Sequence, residues 1–191
     1  RTYTVLVDDG TCTTSDEVAV TFKPTPILNY ENVTLCPGSG GVTLGDVNSI
    51  SGADLTDATI IWLPDTDIDD NRIANPTVNP SASTIYTVTV TTVDGCSVSQ
   101  PIIVTVYDQE LLVDATEACT VADGGGTATV SVNEILGADY SWTGPNSFSS
   151  SDRVNNLTGL TVADFGTYDV TVTTLEGCTL TGSVELIESC C

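Results

Sequence analysis

The sequence predicts an all-β chain of small repeated sandwiches, on three observations. Thr and Val, both β-branched and suited to strands, dominate the composition, and no long 3.6-residue apolar stripe is present. The phrase "YTVTVTTVDGC" (Tyr86 to Cys96) returns as "YDVTVTTLEGC" (Tyr168 to Cys178), and in frayed form as "YTVLVDDGTC" (Tyr3 to Cys12). The cysteines ending these phrases lie 84 and 82 residues apart, and Cys36 and Cys119 repeat the offset at 83. A period of that length is one small β-domain.

The spacing places one complete unit at 25–108 and another at 109–189. Residues 1–24 read as the closing hairpin of a preceding unit, and 190–191 as the start of a following segment. Within the phrase, Tyr86, Val88 and Val90 fall on one face and Thr87, Thr89 and Thr91 on the other, the period of a half-buried strand. Asp94-Gly95 and Glu176-Gly177 supply turns suited to positive φ, and "SVSQPIIVTV" and "TLTGSVELI" supply return strands. Each unit carries one Trp among strand formers, "TIIWL" at Trp62 and "YSWTG" at Trp142. Their matched positions assign both to the core, with Tyr86 and Tyr168 opening the strand that follows. Asp164, Gly166 and Tyr168 form D-x-G-x-Y before a strand, the pattern of a tyrosine corner in immunoglobulin (Ig)-like two-sheet sandwiches.

Composition excludes several functions. With 26 acidic against 4 basic residues and a formal net charge of −22, the chain lacks the cationic surface that nucleic acid or an anionic membrane requires. Apolar runs are too short to insert in a membrane. The absence of His removes the commonest general base and metal ligand. No nucleophile motif appears, so no enzyme is expected.

Seven cysteines in such a chain suggest an oxidising compartment. The spans Cys36 to Cys96 (60 residues) and Cys119 to Cys178 (59) are nearly equal, which favours Cys36–Cys96 and Cys119–Cys178. Loops of that length contribute roughly 3–5 kcal/mol in the chain-entropy model. Cys12 is left for a partner upstream of Arg1. Cys190 and Cys191 are left for a following segment, or for Cys12 of a neighbouring molecule.

The densest acidic stretch, "PDTDIDDNR", places Asp65, Asp67, Asp69, Asp70 and Asn71 where a curled loop can offer oxygens to a hard cation such as calcium. It lacks the Gly and distal Glu of an EF-hand. The plainer reading is a solvated loop whose charge keeps sheet edges apart. Calcium is the one cofactor considered. Tyr140 and Phe148, beside "TGPNSF", are candidate exposed contacts.

The segments "YSWTGPNSFSSSDRVNNLTGLTVADFGTYDVTVTTLEGC" and "NPTVNPSASTIYTVTVTTVDGC" resemble the Ig-like and PKD-like tandem repeats of large cell-surface adhesins of Bacteroidota. The resemblance covers both complete units and rests on W-x-G-P-N followed by T-Y-x-V-x-V-T…G-C. It implies disulfide-tied tandem sandwiches, an extracellular cell-surface location, type IX secretion, and a role in adhesion or gliding. The implied partners are neighbouring repeats and surface polysaccharide or another surface ligand. Two other functions fit the residues. One is a filament subunit assembled by strand donation or inter-subunit disulfides; the other is an accessory carbohydrate-binding module of a secreted enzyme.

Overall fold

Alternating Thr and Val become paired strands throughout the chain. The computed structural model describes residues 1–116, 118 and 125–189; Cys119, Cys190 and Cys191 lie outside them. The strands are β1 (Thr2–Asp8), β2 (Thr13–Ala19), β3 (Ile27–Leu28), β4 (Val33–Leu35), β5 (Val42–Thr43), β6 (Ile50–Ser51), β7 (Thr59–Leu63), β8 (Thr77–Val78) and β9 (Thr84–Thr91). They continue as β10 (Ser97–Val106), β11 (Val113–Ala115), β12 (Gly126–Val132), β13 (Asp139–Thr143), β14 (Ser149–Ser150), β15 (Val154–Leu160), β16 (Gly166–Thr173) and β17 (Thr179–Leu186). Two short 3₁₀ turns, Pro145–Ser147 and Val162–Asp164, are the only helical pieces among the described residues.

The chain divides into two compact units, Arg1–Val33 with Gly41–Val104, and Thr34–Gly40 with Thr105–Cys191. The second is a two-sheet sandwich, with sheet β11-β12-β15 on one side and sheet β14-β13-β16-β17 on the other. Its core is drawn from both sheets: Ala128, Val130, Val132, Leu157 and Leu160 pack with Trp142, Tyr168, Val170, Val172 and Leu186. The Trp strand joins the edge of the closing hairpin, and a short strand follows beyond it, which is the Ig-like arrangement. The chain is therefore an all-β protein with an Ig-like fold.

In the first unit the closing hairpin lies in a sheet ordered β4-β10-β9-β7, with the small pairs β3-β6 and β5-β8 beside it. Trp62, Tyr86, Val88, Val90, Ile102 and Val104 are fully buried. Trp62 Nε1 donates to the Ile73 carbonyl (2.9 Å), and its ring meets the edge of Tyr30 at 5.1 Å. Burial pushes the Tyr30 hydroxyl up to about 12, and that hydroxyl donates to the Ala74 carbonyl at 2.7 Å. In the second unit the indole N–H of Trp142 is buried with no partner among the described residues, so the two tryptophans fill matched places on different terms.

The W-x-G-P-N phrase has a local cause. A Cβ on Gly144 would lie 2.6 Å from the ring of Tyr168, so only Gly lets that ring close over the backbone. Pro145 opens the 3₁₀ turn, where its missing N–H costs nothing. Asn146 follows at φ 52°, in the left-handed region that Asn tolerates better than most residues. Gly144→Ala should destabilise the second unit by about 1–3 kcal/mol through overpacking against a fixed ring. Equilibrium urea unfolding checks this, with Ser141→Ala, on an exposed position of the same strand, as the near-neutral control.

Candidate functional site

The recurring feature is the closing hairpin with its tip. In β9–β10 and β16–β17 the tip is built alike. The Thr92 and Thr174 N–H groups donate to the Cys96 and Cys178 carbonyls at 2.9 Å. The Cys96 and Cys178 N–H groups return bonds to the Thr hydroxyls at 3.2 Å. In β1–β2 the loop is one residue shorter and Asp9 takes the Thr place, its carboxylate accepting from the N–H groups of Cys12 (2.7 Å) and Thr11 (2.8 Å). Those two bonds, Cys12 first, hold the Asp9 carboxyl below the usual range.

The three tips thus present three equivalent cysteines, and they meet different fates. Cys178 is buried and bonded to Cys36, with S–S 2.00 Å and Cα–Cα 5.3 Å. Cys96 is half-buried and free, and Cys12 is exposed and free. This corrects the pairing drawn from equal spacings: Cys36 does not join Cys96, and Cys178 is not left for Cys119. The reason is a crossing of the chain. Thr34–Gly40, which carries Cys36, packs with the second unit, whereas Cys96 closes the first. Spacing alone assumed that each repeat keeps its own cysteines. Cys119, Cys190 and Cys191 fall outside the described residues.

The acidic loop is folded onto itself. Asp69 Oδ1 accepts from the Thr77 N–H (2.9 Å) and the Asp70 N–H (2.7 Å), and Asp70 Oδ1 accepts from the Arg72 N–H (2.9 Å). Asp67 sits at φ 56°, its carbonyl taking the Asn79 N–H at 2.8 Å, and the Asn71 carbonyl takes the Trp62 N–H at 2.9 Å. Tyr86 Oη donates to the Thr66 carbonyl at 3.0 Å. The loop, from exposed Asp65 to Asn71, thereby closes one end of the first unit. Among the described residues no three acids or thiols converge as a cation site, so these five residues are not brought together as ligands.

Tyr168 Oη donates to the Asp164 carbonyl at 2.8 Å, which pins the corner before β16. Gly166 stands between them at φ 134°. The Asp164 carboxylate is held from both sides. It accepts from the Thr161 N–H (2.8 Å) and hydroxyl (2.7 Å) and from Asn146 Nδ2 (2.9 Å). These bonds, the Thr161 N–H first, lower its carboxyl from the usual 3.8. A lowered folded value means the contribution is present above the unfolded value near 4 and fades as pH falls through the folded one. Asp164→Ala removes the N3 member of a capping box with Thr161 and should cost about 0.5–1 kcal/mol near neutral pH. In melts from pH 7 to pH 2, the gap between wild type and variant should shrink below pH 4.

Tyr140 and Phe148 are not free contacts. The Tyr140 hydroxyl bridges the Ile135 N–H (3.0 Å) and carbonyl (3.2 Å), and Phe148 packs edge-on against Tyr168 at 5.2 Å. Among the polar groups that remain exposed, hydroxyls and carboxylates recur, beside scattered apolar side chains such as Val47 and Leu136. On the outer face of β9–β10, Thr89 pairs with Ser99 at 2.8 Å and Thr91 with Ser97 at 3.0 Å. A shallow concavity of about 480 Å³ in the first unit is lined by Asn29, Glu31, Thr43, Asp46, Asn48 and Ser49, among others. It offers amides, hydroxyls and carboxylates. Sequence reasoning missed it because its residues come from two separate segments, 29–33 and 43–49, with no shared motif.

An Ig-like β-sandwich protein is the class that the fold defines. No protein-family model matches the chain, and no curated protein matches it. Similar solved structures are themselves Ig proteins. They include DIP-gamma IG1+IG2 (15% identity, 86% of this chain and 96% of that one, TM-score 0.43) and Sidekick-1 immunoglobulin domains 1–4 (11%, 98% and 58%, TM-score 0.47). A third is the amphioxus IgVJ-C2 molecule (17%, 97% and 96%, TM-score 0.34). The fold assignment stands on the strand order and core described above.

Proposed function

We propose that the chain is a structural and adhesive repeat module of a long extracellular surface protein, of the kind found in the tandem-repeat adhesins of Bacteroidota. The observation that supports this best is one hairpin used three times in the same register, in a chain with no His. Repetition of a scaffold supplies reach and valency; it does not supply chemistry. The Cys36–Cys178 bond fits an oxidising location outside the cytoplasm. The hydroxyl-rich faces and the shallow polar concavity suit weak contacts to a polysaccharide. The carbohydrate-binding-module reading loses its main support, because Trp62 and Trp142 are buried and offer no stacking platform.

Weak sites become adhesive by number. Beads coated with the protein at high density should be retained on a polysaccharide-coated surface at least tenfold longer than beads coated sparsely. Retention that is equal at both densities, or no greater than on a bare surface, rejects the adhesive role.

A further inference from the structure

The two complete units build one three-strand face in the same register. Strands β7, β9 and β10 of the first unit match β13, β16 and β17 of the second. Trp62 stands opposite Val88 as Trp142 stands opposite Val170, and Tyr86 faces Ile102 as Tyr168 faces Val184. Those residues form the inward set. The alternate positions point outward in both units, so the two outer surfaces compare residue by residue.

The comparison is uneven. Ile61 and Leu63 stand where the second unit has Ser141 and Thr143. Ile85 and Ile103, which face each other, stand where it has Thr167 and Glu185, and Pro101 stands where it has Ser183. The second unit's outward acids, Asp139, Asp169 and Glu185, give way to Thr59, Thr87 and Ile103. The outward positions of β7, β9 and β10 thus carry no charge, in a chain with 26 acids.

The apolar residues are contiguous. Leu63 and Pro101 flank Thr87 in one row, the Ile85–Ile103 pair lies in the next, and Ile61 is two residues from Leu63 along β7. Ile61 is 39% exposed, Leu63 59%, Ile85 58% and Ile103 42%. The fold does not require them, because the second unit closes the same core beneath a polar face. Nor is a covering element of the unit missing, because every matched position of the second unit is open to solvent as well.

Charge and area select what covers such a patch. Between molecules of net charge −22, a neutral face is where two copies meet without opposing carboxylates, and depletion of charge marks the core of protein interfaces. A cationic partner finds no counter-charge on it, and a sugar finds no aromatic ring. The face spans about 23 Å along β9 and about 14 Å across three strands. That is well below the roughly 800 Å² per partner of a stable complex, so the pairing is weak and reversible.

We propose that the outer face of β7, β9 and β10, centred on Leu63, Ile85, Pro101 and Ile103, is a self-association surface that packs sheet to sheet against the same face of a second copy. It goes beyond the adhesive reading and gives neighbouring molecules a lateral contact.

The test is sedimentation velocity of the 191-residue protein, free thiols alkylated, up to millimolar concentration. The mean mass should rise towards that of a dimer. Association should strengthen about twofold or more between roughly 20 and 150 mM salt, as self-repulsion is screened. The combined variant Ile61→Ser, Leu63→Thr, Ile85→Thr and Ile103→Glu, which writes the second unit's residues onto the first, should weaken association about tenfold or more. Val47→Ser with Leu136→Ser, at exposed apolar positions elsewhere, should leave it unchanged. Without any substitution, concentration-dependent amide shifts should fall at Ile61, Leu63, Ile85 and Ile103 and spare Ser141, Thr143, Thr167 and Glu185. A monomer at millimolar protein overturns the proposal. So does association that weakens with salt, survives the combined variant, or shifts both faces alike. Density-dependent bead retention by a strictly monomeric protein sinks this inference and leaves the adhesive reading intact.

Discussion

Trp62→Ala is expected to destabilise the first unit by about 3–5 kcal/mol, the range for removing a fully buried Trp. The side chain fills the centre of the unit, holds the Ile73 carbonyl through Nε1 and supports the Tyr30 ring. For a domain of this size such a loss lowers the melting midpoint by roughly 15–30 °C. The matched Trp142 separates packing from hydrogen bonding. Its Nε1 is buried with no partner among the described residues, so Trp142→Phe removes a donor unmet there, whereas Trp62→Phe strands the Ile73 carbonyl. Trp62→Phe should therefore cost about 1–3 kcal/mol more than Trp142→Phe. Calorimetry of both variants reads the difference, and equal costs would mean that the bond to Ile73 contributes nothing.

Loss of the Cys36–Cys178 bond should be the other large effect. The cysteines are 142 residues apart in sequence, and the intervening chain includes most of the first unit. The chain-entropy model gives a loop of that length about 5 kcal/mol. While the first unit stays folded the effective loop is shorter, so about 3–4 kcal/mol is the better expectation for the second unit. Cys36→Ser should lower its unfolding midpoint accordingly, while Cys96→Ser, which removes a free thiol, should leave both units near wild type.

Much of this fold was legible in the sequence because strand period, turn chemistry and repeat spacing all pointed one way. Tyr86, Val88 and Val90 alternate with Thr, and their burial follows. Asp164, Gly166 and Tyr168 announced a corner because its parts are local, five residues end to end. The disulfide was not legible. Equal spacing favours pairing within a repeat, but Thr34–Gly40 crosses to the second unit, and a crossing leaves no mark on spacing. The acidic loop left two readings open for a similar reason. Alternate carboxylates look like cation ligands until their backbone partners are known, and here Asp69 and Asp70 are turned onto nearby N–H groups. Polar loop residues such as Asn29, Glu31 and Asp46 carry no periodic signal, so their shared concavity emerged only from the fold.

Stretching one molecule from its two ends tests whether the proposed module is covalently tied through Cys36–Cys178. With Cys36–Cys178 intact, force passes through the sulfurs and bypasses everything between them. At about 3.3–3.6 Å per residue, extension should end near roughly 160–170 Å in oxidising buffer and near roughly 650 Å after reduction. Full extension without reductant would contradict the claim, because the strand order would then stand without the bond that carries the load.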